Sequence, residues 1–67
     1  MNWDQIKLNW RPFSVTVQDR WDRLTDDDLL NIAGKRERLI GALQERYGVA
    51  KEIADKEVDD FAIRMKL

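Results

Sequence analysis

Sixty-seven residues limit the chain to one domain, near the smallest size at which a single hydrophobic core sustains itself. Twelve basic and thirteen acidic residues leave a net charge of −1, which argues against a general affinity for nucleic acid or anionic membrane; the absence of cysteine and histidine removes disulfides, thiolate metal sites and the commonest general base. Three glycines and one proline supply few tight turns, which disfavours an all-β fold, and without a long apolar run or a basic-then-apolar leader a soluble cytoplasmic protein is expected.

Residues 1–8 read as a turn of helix competing with terminal fraying. Asn2 and Gln5 have capping-box spacing, and Trp3 and Ile6 could cover the open end of a core. Asn9 is an N-cap for a helix running to about Arg23, with Pro12 in its first turn, where no intrahelical hydrogen bond is lost. Trp10, Phe13, Val17, Trp21 and Leu24 step by three and four and form one helical stripe. Phe13 to Val17 also alternates like a β-branched strand, but that pattern covers five residues and has no partner strand.

Thr25 can cap a helix opening on Asp26, Asp27 and Asp28, whose charges suit the positive end of the helix dipole. Asp28 is placed to reach back to the cap. Leu29, Leu30, Ile32 and Ala33 supply the apolar face of this two-turn helix, and Gly34 ends it. The next helix is predicted over 35–47, with Leu39, Ile40, Leu43 and Tyr47 as its buried stripe and Gly48 as its stop. Gly41 costs ~1 kcal/mol in helix propensity, which suggests that it admits a bulky neighbour, such as a tryptophan from the Asn9–Arg23 helix. The last helix is predicted over 50–64, with Ile53, Ala54, Val58, Phe61, Ala62 and Met65 facing inward.

These elements make an all-α fold, a single domain over residues 1–67. Connections of one or two residues favour a small four-helix domain of two hairpins packed crosswise over a regular up-and-down bundle.

Several runs also resemble a known family. Asn9-Trp10, Phe13, Val17, Trp21, Leu24 to Asp28, Gly34-Lys35-Arg36, Leu39, Gly41 and Leu43 to Gly48 look like the CsbD-like small bacterial stress-response proteins, and Lys51, Ala54, Glu57-Val58 and Phe61 continue the match. The resemblance implies the same crosswise helical fold, a link to general stress response, and no established enzymatic activity or ligand. Ser14-Val15-Thr16 stands where the family often has Lys-Gly-Lys, and Asp22 where glycine is common, so the Asn9–Arg23 helix is less basic here.

Each candidate site has a plainer competing role. Asp26 to Asp28 could offer oxygen ligands to a divalent cation, but consecutive helical residues diverge and no calcium-loop spacing follows, so capping is expected and no metal site. Gly34-Lys35-Arg36 lacks the earlier glycine and the following Ser or Thr of a phosphate loop. A corner at Gly34 with Lys35, Arg36 and Arg38 could instead contact a nucleic-acid backbone as a helix-hairpin-helix-like unit, set against a solvated basic face. Trp3, outside the main stripe, could join the Asn9–Arg23 helix in a protein-interaction surface or a weak self-association; the alternative is a monomer. Ser14 has no histidine partner and Tyr47 no recognisable constellation, so neither an enzyme nor a cofactor is expected, and no membrane partner.

Overall fold

A computed structural model describes residues 3–65, so the Asn2 half of the expected capping box lies outside the described residues. Five helices and no strand occur among the described residues: α1 (Trp3–Leu8), α2 (Trp10–Arg20), α3 (Asp26–Ile32), α4 (Arg36–Tyr47) and α5 (Lys51–Arg64). The all-α class holds, but the count is five rather than four, because residues 3–8 close a complete six-residue helix. No described helix is long and apolar enough to cross a membrane.

α1 runs almost directly into α2. Asn9 separates them, and it is not the side-chain N-cap expected of it. Its Nδ2 donates 3.0 Å back to the Gln5 carbonyl and so serves the end of α1. α2 stops at Arg20, three residues short of the predicted end. There the backbone leaves the helix at Trp21, and the Leu24 N–H donates to the Trp21 carbonyl at 3.2 Å. That break buries Trp21 and Leu24 together ahead of the next helix.

Thr25 begins α3 with a reciprocal box. Its hydroxyl accepts the Asp28 N–H at 3.1 Å, while the Asp28 carboxylate accepts the Thr25 N–H at 3.0 Å. Two of the four orphan donors at the helix start are thus satisfied locally. At the far end both Ala33 (φ 49°) and Gly34 (φ 78°) are left-handed, so the corner into α4 takes two such residues rather than the single glycine expected. Lys35 then stands at the N-cap of α4, and Gly48 (φ 63°) closes that helix.

α4 packs against both α3 and α5 and forms the middle of the molecule. The core joins Val17 and Trp21, then Leu24, Leu29 and Ile32, with Leu39, Ile40 and Leu43 of α4 against Ala54, Val58 and Phe61 of α5. Trp21 meets Phe61 at 5.1 Å between ring centroids, tilted by 50°. Trp3, Trp10 and Tyr47 are half-buried at its edges. Trp10 Nε1 donates 2.8 Å to the Leu29 carbonyl and ties α2 to α3, while the Tyr47 hydroxyl accepts the Arg23 N–H at 3.2 Å.

Three inward assignments need correcting. Leu30 is 74% exposed, Ile53 50% and Met65 39%. Leu29 and Ile32, three apart, already fill the space beneath α3, so the intervening Leu30 points away. Ile53 and Met65 lie on the solvent side of the stripe that Ala54, Val58 and Phe61 define.

Candidate functional site

Nothing in local sequence places Lys7 beside Gly34, yet that contact builds the corner. A Cβ at Gly34 would lie 2.6 Å from the Lys7 Cα and 3.0 Å from its N. The backbone of α1 therefore crosses the α3–α4 corner at a distance only glycine permits. Gly41, by contrast, is exposed and has nothing within 4 Å of where its Cβ would stand. The close approach predicted at Gly41 does not exist; it occurs at Gly34.

This crossing gathers the four residues proposed for nucleic-acid contact. Gly34, Lys35, Arg36 and Arg38 line one shallow groove, joined by Lys7 and Trp3 from α1. The contribution of α1 was not visible in sequence, because Lys7 and Lys35 are brought together only by the tertiary crossing. Asp4 and Glu37 line the same groove.

Part of its positive charge is already engaged. Arg36, on the first turn of α4, forms ion pairs with Asp55 and Asp59 of α5. The hydrogen bond it donates to Asp59 is the main reason its guanidinium is held above its usual range, with the bond to Asp55 adding to it against partial burial. Arg38 donates 2.9 Å to the Asn31 carbonyl at the end of α3. The four cations Lys7, Lys35, Arg36 and Arg38 are matched in number by Asp4, Glu37, Asp55 and Asp59. A phosphate entering the groove would meet no excess of positive charge, and one face of the corner is already occupied by α1.

A second junction joins the start of α3 to the end of α4. Arg46 Nε donates 2.6 Å to one Asp28 oxygen, and its second nitrogen donates 3.0 Å to the other, a bidentate pair. These bonds, with that from the Thr25 N–H, hold the Asp28 carboxyl at about 2, below its ordinary 3.8. Arg46 is raised in return, mainly by the same hydrogen bond. Asp28 is therefore a cap and a brace, while no group of three or more metal-binding side chains occurs among the described residues. Ser14 donates to the Arg11 carbonyl, and Tyr47 accepts from Arg23, so both hydroxyls serve the fold.

Similar chains occur among bacterial proteins. The UPF0337 protein ECA0631 of Pectobacterium atrosepticum is 53% identical over 58 residues, covering 87% of this chain and 84% of its own. The UPF0337 protein YjbJ of Escherichia coli is 48% identical over 64 residues, covering 96% and 93%. The UPF0337 protein PA4738 of Pseudomonas aeruginosa is 49% identical over 65 residues, covering 97% of this chain and all of its own. No protein-family model matches.

Proposed function

The chain belongs to the UPF0337 family, and on that footing we propose that it is a CsbD-like cytoplasmic protein of the general stress response, acting by binding or protecting rather than by catalysis. The crosswise pairing of hairpins that such kinship implies belongs to the same reading. One observation carries the non-catalytic part. The polar groups best placed to form a site are spent on holding the fold: Arg36 on Asp55 and Asp59, Asp28 on Thr25 and Arg46. An enzyme would keep such groups poised toward a substrate.

The experiment compares survival of a deletion strain and its parent through osmotic, heat and stationary-phase stress. Impaired survival restored by the wild-type gene supports the proposal; equal survival under all three refutes it. Gel shifts at low salt serve as the control, because phosphate binding weakens steeply as salt rises. Salt-sensitive retention there would refute the reading of a neutralised groove.

A further inference from the structure

Gly41 is the one glycine of this chain whose presence the fold does not require. Gly34 and Gly48 have positive φ, whereas Gly41 is helical and exposed, with nothing from the rest of the described chain within 4 Å of where a Cβ would stand. Glycine weakens a helix relative to alanine, and no close contact at this position among the described residues offsets that cost. Its surroundings are also distinctive. Arg38, Gly41, Ala42 and Glu45 fall at i, i+3, i+4 and i+7, and all four line one open groove whose other wall is Asn31, Ile32 and Asp28 of α3, the last already paired with Arg46.

We propose that this groove is the contact face of an antiparallel homodimer in which α4 packs on α4 of a second copy. The argument is charge self-complementarity. A two-fold axis passing between Gly41 and Ala42 sets Gly41 against the partner's Ala42, so the two helices can approach closely. The same axis sets Arg38 against the partner's Glu45 and Glu45 against the partner's Arg38. Each ion pair is made twice, as a two-fold interface requires. Both side chains are exposed; Arg38 uses a single donor on Asn31, and Glu45 forms no ion pair among the described residues. No other partner has to be invoked, because the face already carries the complement of its own charges. Two twelve-residue helices bury a small area, so the contact is of the weak, transient class, with a dissociation constant on the order of 0.1–1 mM.

Sedimentation equilibrium of the whole chain up to roughly 2 mM tests this, with circular dichroism to verify folding. The wild type is expected to shift from monomer to dimer with concentration. Arg38→Glu and Glu45→Arg should each weaken association roughly tenfold or more, since each sets like charges face to face twice. An equimolar mixture of these two variants should associate as the wild type does, because the pairs are restored across the axis. Gly41→Leu should remain monomeric while staying folded, its substitution being on an open surface. A wild type that stays monomeric throughout overturns the proposal. So does a dimer indifferent to Arg38→Glu and Gly41→Leu, which would place the contact elsewhere, for example at Trp3. A mixture that fails to associate removes the charge pairing on which the geometry rests.

Discussion

The same substitution at two glycines should move stability in opposite directions. Gly34→Ala puts a methyl group 2.6 Å from the Lys7 Cα on backbone with φ of 78°. The left-handed conformation costs alanine ~1–2 kcal/mol, and forcing α1 outward adds ~1–3 kcal/mol of overpacking. Reduced freedom of the unfolded chain returns ~0.4–1 kcal/mol, leaving a loss of roughly 1–4.6 kcal/mol. A domain of this size commonly has only ~3–5 kcal/mol in total, so Gly34→Ala should stand close to unfolding at room temperature. Gly41→Ala meets no neighbour and should gain about 1 kcal/mol, or roughly 4–8 °C in melting temperature. Urea titrations followed by circular dichroism at low micromolar protein measure both. A Gly34→Ala protein within 0.5 kcal/mol of wild type would refute the backbone crossing. A Gly41→Ala protein that loses stability would show that α4 is covered there.

Acid should loosen the α3–α4 brace. Because the Asp28 carboxyl sits at about 2 when folded against an ordinary 3.8, its contribution is complete above the ordinary value and lost as pH falls from about 4 towards 2. After discounting for solvent screening this amounts to about 1 kcal/mol, and Asp28→Asn should flatten that part of a plot of urea midpoint against pH. Trp10→Phe leaves the Leu29 carbonyl without its 2.8 Å donor and should cost ~1 kcal/mol, visible as a lower thermal midpoint. Thr25→Ala removes one side of the reciprocal box and should cost ~1 kcal/mol, with amide exchange fastest in the first turn of α3.

What could be read from sequence was what the chain settles over three or four residues. The box between Thr25 and Asp28 and the stop at Gly48 are local, and the structure shows both. The end of α2 falls earlier than the apolar spacing predicts, because that spacing continues through Trp21 and Leu24 while their burial comes from leaving the helix. Propensity identified Gly41 as costly, but it carries no information about which glycine another segment approaches. That role fell to Gly34 through Lys7, 27 positions away. For the candidate site the same division holds: Lys35, Arg36 and Arg38 were visible as cations, but the carboxylates matched to Arg36 lie 19 and 23 residues further on. Only a folded chain reveals that pairing.

The meeting of Lys7 and Gly34 divides mutational freedom unequally between its two sides. On the α1 side the touching atoms are the main chain and Cβ of Lys7, and its side chain is exposed, so almost any residue with a Cβ can replace it. On the other side every side chain collides. A saturation library should therefore return broad acceptance at position 7 and a single surviving residue at position 34, two neighbours in space with opposite latitude for drift.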